Sequence, residues 1–139
     1  MVRETDIRLI FEGSDGDNLL NAKTSNTITE PNTNLYYLSN GEKKKIFNAN
    51  HDYPKQFYIT NESGKHEMIL FPHIENDQDT ARTLIKAGNF PLDTLKVEYE
   101  HSKNVIAVYR VWYNGELKWD TTKGTDRKIV VTKSSSQTD

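Results

Sequence analysis

Two short runs of the sequence place carboxylates at alternating positions, as calcium-binding loops do. Asp15 and Asp17 lie in GSDGDN, and Glu75, Asp77 and Asp79 lie in HIENDQD. An EF-hand loop needs a central glycine and a terminal glutamate at fixed spacing, and neither run completes that pattern. We therefore interpret both runs as solvated turns and predict no metal site.

The histidines, serines and glycines do not form a catalytic or cofactor-binding motif. No histidine pair has helical metal-ligand spacing, and each serine lies in a polar turn or in the C-terminal tail rather than in G-x-S-x-G. The seven glycines form neither G-x-G-x-x-G nor a P-loop. Because the chain has no cysteine, it has no disulfides, no thiolate chemistry and no Cys-ligated zinc. The sequence predicts a protein that is not an enzyme and needs no cofactor.

The aromatic residues near Asn114-Gly115 give a more specific candidate site. If a two-residue loop sets the strand register there, Arg110 faces Trp119 and Trp112 faces Leu117, so all four side chains share one face. We favour a structural role, with both indoles in the core and Arg110 over Trp119. The alternative is an aromatic platform for a sugar or a peptide, which requires at least one exposed indole.

A second aromatic cluster lies beside a run of lysines. Tyr36 and Tyr37 precede Lys43-Lys44-Lys45 across a short turn. Strand lysines commonly prevent edge-to-edge pairing, and we favour that role over a binding patch. The candidate ligand-binding residues are thus Arg110, Trp112, Trp119, Tyr36 and Tyr37.

Length and charge narrow the functional class. The 139 residues predict one domain over 1–139, with an ordered core at about 6–133 and a disordered tail at 134–139. With 18 Lys and Arg against 20 Asp and Glu, no global field draws the protein to nucleic acid. No run approaches the roughly 20 apolar residues of a membrane span, and MVRETD does not resemble a signal peptide. We expect a cytosolic protein or a mature fragment of an exported one, and a monomer.

Turn residues indicate a fold built from β-hairpins. Asn114-Gly115 lies between VIAVYRVWY and ELKW, and Asn40-Gly41 lies between LYYLS and EKKKIF. Asn-Gly supplies the two positive φ angles of a type I′ turn. QFYIT and KHEMILF predict a third hairpin, and DIRLIF, TLKVEYE and KIVVT predict further strands.

Other segments are less regular. The run 19–34 predicts a long loop or an edge, with at most a weak strand at Thr27 to Thr29, and residues 79–87 could form a helix or a strand, of which we favour the strand. Alternation along the predicted strands gives the expected core residues: Leu9, Phe11, Phe57, Ile59, Ile69, Phe71, Leu95, Val97, Val105, Ala107, Val111 and Val130.

Several segments together resemble one group of proteins. DIRLIFEGSDGDNLLN, DTLKVEYE and YRVWYNGELKWD followed by KIVVTK resemble small, largely uncharacterised lipoproteins of Bacteroides-type bacteria. In those proteins a folded β-sandwich hangs from an acylated cysteine by a short linker. The resemblance implies a location in the cell envelope, in the periplasm or at the outer-membrane surface, with membrane contact only through a lipid anchor. This chain has no anchoring cysteine.

The sequence as a whole predicts an all-β, antiparallel, immunoglobulin-like sandwich of seven to nine strands. We expect a non-enzymatic, envelope-attached binding or accessory module that contacts a protein or glycan partner through exposed loops and edge strands. The alternative is a carbohydrate-binding module that uses an exposed aromatic face around Trp112 and Trp119.

Overall fold

The computed structural model describes residues 2–21, 23, 27–62, 64–75, 78–124 and 126–133. Within those ranges the chain forms eleven strands: β1 (Val2–Glu4), β2 (Ile7–Gly13), β3 (Thr33–Ser39), β4 (Glu42–Lys45), β5 (Phe57–Thr60), β6 (Glu67–Leu70), β7 (Thr80–Ala87), β8 (Asp93–Ser102), β9 (Val105–Tyr113), β10 (Glu116–Asp120) and β11 (Lys128–Lys133). A 3₁₀ turn at Thr121–Lys123 connects the last two strands. The protein is all-β, and the predicted tail at 134–139 lies outside the described residues.

The strands form two sheets. A seven-stranded sheet has the order β1-β9-β8-β7-β3-β4, with β10 also paired to β9, and a four-stranded sheet has the order β11-β2-β6-β5. Both sheets are mixed because β1 runs parallel to β9 and β11 runs parallel to β2. The expectation of purely antiparallel sheets is therefore wrong. Turn signals fix the direction of consecutive strands only, and these two pairs join strands that are distant in the chain.

Both sheets contribute to one hydrophobic core cluster. Seven of the expected core residues are buried: Leu9, Phe11, Phe57, Ile69, Leu95, Val97 and Val111. Four others are only partly buried: Ile59, Phe71, Val105 and Ala107. The prediction for Val130 is wrong, because this side chain is 45% exposed while its neighbours Ile129 and Val131 are buried. Three consecutive apolar residues in β11 do not reveal which of the two alternating sets faces inward.

Two bulges change the register of the hairpin that contains Asn114-Gly115. In β9, Tyr109 is an extra residue between the pairs Glu98↔Arg110 and Tyr99↔Val108. In β10, Lys118 is an extra residue, so Trp119 pairs with Val111. A bulge places two residues opposite one and reverses the alternation beyond it. The predicted pairing of Arg110 with Trp119, and the shared face of the two tryptophans, are therefore wrong.

The turn predictions are confirmed. Asn40 and Gly41 have φ angles of 53° and 80°, and Asn114 and Gly115 have φ angles of 50° and 86°. Two consecutive positive φ angles are those of a type I′ turn.

Three other predictions can be compared with the structure. The segment 79–87 contains the strand β7, as favoured, and QFYIT and KHEMILF supply the paired strands β5 and β6. Residues 27–29 form no strand, although Ile28 is buried and its amide donates to the Leu19 carbonyl.

A buried ion pair connects the two sheets. Lys133 in β11 donates through its ammonium to Asp93 in β8, and the two residues are 7% and 4% exposed. The Tyr113 hydroxyl donates to the same carboxylate oxygen, Oδ2, at 2.5 Å, and the Asn114 side-chain amide donates to the other oxygen, Oδ1, at 2.9 Å. Burial and the neighbouring Asp93 charge raise the pKa of Tyr113, so its hydroxyl stays protonated and acts as a donor.

Candidate functional site

The five residues predicted to bind a ligand lie in three different places. Trp119 is in the core, 3% exposed, and its indole N–H donates to the Asp126 carbonyl at 2.9 Å. Tyr37 lies between the sheets, while Arg110, Trp112 and Tyr36 lie on the surface of the seven-stranded sheet that faces away from the core. We call that surface the outer face. Trp119 lies in the core, as the favoured structural role requires, but the expectation that Trp112 also lies in the core is wrong. The expectation that Arg110 lies over Trp119 is also wrong, because the Arg110 guanidinium lies over Tyr109.

The outer face carries one continuous row of side chains across six strands. Register pairs connect its members from β10 to β4 in the order Leu117, Trp112, Lys96, Arg82, Leu38 and Lys43. Tyr36 and Lys45 are paired two residues further along β3 and β4. Trp112 and Tyr36 are thus three strands apart, roughly 14 Å at ordinary strand spacing, and do not form a compact aromatic platform.

A cation lies over each aromatic ring of this surface. Lys96 Nζ is 4.7 Å from the centroid of the Trp112 ring, and Lys43 Nζ is 5.0 Å from that of Tyr36. Arg110 lies over Tyr109 at 4.5 Å and donates to Glu98 at 3.0 Å. A cation over an aromatic face is attracted by the ring quadrupole and is held in place while its charge stays accessible. A neutral sugar stacking on that ring face would have to displace it.

Strand β4 is an edge strand of the seven-stranded sheet, and all four of its residues are exposed. Lys43 and Lys45 alternate onto the outer face, whereas Lys44 pairs with Tyr37 and lines the opposite side. Among the described residues, neither Lys43, Lys45 nor Arg82 forms an ion pair. The edge therefore combines unpaired backbone groups with uncompensated positive charge.

A cleft of about 600 Å³ opens on the side of β4 that bears Lys44. We call it the inter-sheet cleft, because residues of both sheets line it. Its wall includes Tyr37, whose hydroxyl donates to the Phe71 carbonyl at 2.7 Å and whose ring stacks on His73 at 4.7 Å. Burial raises the pKa of Tyr37 to about 12.

A polar cluster behind the cleft joins Ser39, Glu75 and His73. Glu75 accepts from the Ser39 hydroxyl at 2.7 Å and lies 3.0 Å from His73 Nε2. The Ser39 hydrogen bond, together with His73, lowers the pKa of Glu75. In a nucleophilic triad the imidazole contacts the hydroxyl, whereas here the carboxylate lies between them. This geometry orients His73 but does not activate Ser39 as a nucleophile.

The structure describes the acidic run GSDGDN completely and the acidic run HIENDQD only in part. Asp15 Oδ1 accepts from the Asp17 amide at 3.2 Å, and the Asp15 charge raises the pKa of Asp17. Asp77 lies outside the described residues. Across the described ranges, no group of three or more His, Asp or Glu residues is placed to hold a metal ion, and no helix has the length and apolarity to cross a membrane.

Several residues of these surfaces were not predicted from the sequence. The alternation in TLKVEYE predicts an exposed Lys96, but its contact with Trp112 depends on the bulge at Tyr109. The cleft depends on the relative position of two sheets, which local patterns do not encode. Comparison of the chain with protein-family models, with curated proteins and with solved structures finds no match.

Proposed function

We propose that the protein is a non-enzymatic binding module that captures an extended acidic segment of a partner protein along β4. The observation that carries this proposal is the exposed edge strand β4, which places Lys43 and Lys45 on the outer face. Arg82 on β7 adds a third positive charge to the same face. None of these three cations is neutralised by a described residue.

Strand addition explains why an extended segment fits this edge. An added strand takes its main-chain hydrogen bonds from the free edge, and its side chains alternate between the two faces of the sheet. Acidic residues at every second position would meet Lys43 and Lys45 on the outer face. Edge lysines repel a neutral or basic strand, so the same charges that prevent self-association select an acidic partner.

Charge and aromatic geometry favour a peptide over two other polymers. The net charge of −2 gives no global attraction for nucleic acid. The lysines over Trp112 and Tyr36 occupy ring faces that a carbohydrate-binding module would use for stacking, and Trp119 is buried. The carbohydrate-binding alternative therefore has less support than the acidic peptide.

We extend the proposal to the location of the protein in the cell envelope and to an immunoglobulin-like fold. The resemblance to Bacteroides-type lipoproteins supports a site in the cell envelope, where an anchored module would present β4 to a neighbouring protein. Two sheets around one core are compatible with an immunoglobulin-like sandwich that carries parallel edge pairs.

Fluorescence anisotropy with labelled peptides tests the proposal. An eight-residue peptide of alternating Asp and Val should bind, while the alternating Lys and Val peptide should not. The K43Q/K45Q variant should weaken binding about tenfold, since each of the two exposed charge pairs contributes about 0.7 kcal/mol. The K103Q/K123Q variant removes the same charge from two exposed turns and should bind normally.

A modified peptide separates strand addition from simple charge attraction. N-methylation at alternate residues removes donors from one edge of the peptide without changing its charge. If β4 pairs with the peptide backbone, methylation of the edge that faces β4 should abolish binding. Equal binding of both methylated peptides, or tighter binding of an anionic polysaccharide such as alginate, would contradict the proposal.

A further inference from the structure

The inter-sheet cleft has the composition of a small-molecule site that is separate from the outer face. Its volume of about 600 Å³ is within the ordinary range of ligand pockets. Arg3 and Lys44 line it from the seven-stranded sheet, Phe47 from the segment after β4, and Gln56 and Phe71 from the ends of the four-stranded sheet. Residues from both sheets therefore converge on one space.

Aromatic side chains supply an apolar surface in the cleft. Tyr37 and His73 are stacked at an interplanar angle of 22°, and Phe71 lies near Tyr53 with ring centroids 5.9 Å apart. Phe47 is 64% exposed at the rim, which makes it the most exposed large hydrophobic side chain of the described residues. An exposed phenyl ring beside stacked rings suits a planar apolar ligand.

The charge of the cleft is positive. Neither Arg3 nor Lys44 forms an ion pair within the described part of the chain. The one carboxylate in the lining, Asp6, is held by Arg127 at 2.6 Å, so its charge is compensated. The uncompensated cations of the cleft therefore favour a ligand that carries a negative group.

The backbone of the cleft is strained at Gln56. Its φ of 63° lies in a region that non-glycine residues rarely adopt, and contacts on both sides hold it there. The Gln56 amide donates to the Tyr53 carbonyl at 2.8 Å, and its carbonyl accepts from the Phe71 amide at 2.9 Å. The side-chain amide then lies 2.9 Å from His51 Nδ1. Strain of this kind is concentrated at ligand sites, where it sets the direction of a polar side chain.

We infer that the inter-sheet cleft binds a small aromatic carboxylate, with the ring against Phe47 and Tyr37 and the carboxylate facing Lys44. This site lies on the opposite side of β4 from the outer face and does not depend on the proposed peptide binding. The flat ring contacts the apolar wall, and the negative group pairs with the Lys44 ammonium.

Isothermal titration calorimetry with three matched probes tests this inference. 1-Naphthoate carries both a ring and a carboxylate, 1-naphthamide carries the same ring without charge, and acetate carries the charge without the ring. We expect saturable binding of 1-naphthoate, at least about tenfold weaker binding of 1-naphthamide, and none of acetate. The inference is overturned if 1-naphthoate fails to bind at about 1 mM or if 1-naphthamide binds equally well.

Two neighbouring lysines provide a control within one strand. Lys43→Gln and Lys44→Gln remove the same charge from exposed positions, but Lys43 faces the outer face and Lys44 faces the cleft. Lys44→Gln and Phe47→Ala should each weaken 1-naphthoate binding severalfold, and Lys43→Gln should leave it unchanged. Equal losses for Lys43→Gln and Lys44→Gln would place the probe elsewhere and overturn the inference.

Discussion

Replacing Lys133 with Met should destabilise the protein strongly, because it breaks the ion pair that joins the two sheets. Methionine keeps an apolar stem of similar length but removes the ammonium that contacts Asp93. The Asp93 carboxylate, only 4% exposed, would then lie in the core without its cation. Removing one partner of a buried pair costs about 3–5 kcal/mol, since the other charge is left without compensation.

The hydrogen bonds that remain at Asp93 set the expected value within that range. Tyr113 and Asn114 still donate to the carboxylate at 2.5 and 2.9 Å, and each charged hydrogen bond offsets part of the burial cost. We therefore expect a loss of about 3 kcal/mol in the free energy of unfolding. For a chain of this size that corresponds to a decrease in Tm of roughly 10 °C.

Urea denaturation followed by circular dichroism at pH 7 measures this loss. Lys118→Met is the control, because it makes the same substitution in a surface ion pair whose Glu116 partner is 72% exposed; its cost should be below about 1 kcal/mol. In the D93N/K133M double variant the buried charge is removed as well, so its cost should be less than the sum of the two single losses by about 1–3 kcal/mol. A Lys133→Met loss below about 1 kcal/mol, or additive losses, would refute the reasoning.

Three further predictions concern a turn and two titrating groups. Gly115→Val should lower the free energy of unfolding, measured by heat or urea, by at least about 1 kcal/mol, because φ is 86° at this position. An added Cβ meets no atom within 4 Å, so the loss comes from backbone strain and not from a clash. A variant as stable as the wild type would contradict the turn assignment. Burial alone would raise the pKa of Glu67, but Lys128 and Arg8 together lower it. The Glu67 carboxylate therefore stabilises the fold above the unfolded pKa of about 4.3, and this stabilisation is lost as the pH falls through the lower pKa of the folded state. In urea unfolding at a series of pH values, Glu67→Gln should lose less stability on acidification than the wild type. The pKa of Tyr37 is raised to about 12, so its hydroxyl should stabilise the fold below pH 10 and lose that effect between about pH 10 and 12; a Tyr37→Phe variant with an unchanged alkaline stability profile would contradict this.

The hairpins could be predicted because their information is local. Asn40-Gly41 and Asn114-Gly115 specify positive φ angles through their own residue types, and the alternation in TLKVEYE identifies the buried side of β8. The bulges could not be predicted, because they depend on tertiary structure. The extra residues Tyr109 and Lys118 are ordinary strand residues, and nothing in their types indicates a bulge.

The candidate site was predicted only in part for the same reason. Tyr36 and Trp112 lie on one exposed face, but the reversal at Lys118 turns Trp119 into the core. The inter-sheet cleft brings together residues that are far apart in sequence, and the ion pair between Asp93 and Lys133 joins residues 40 positions apart. Sequence periodicity describes single strands and does not determine which elements face each other across the core.

Amide hydrogen exchange with and without the alternating Asp and Val peptide tests the binding proposal most directly. If the peptide adds a strand to the seven-stranded sheet, the amides of Glu42–Lys45 that face away from β3 should become protected, and those of β11, an edge strand of the other sheet, should not. Saturable binding without protection in Glu42–Lys45, or with protection confined to β11, would contradict the proposal.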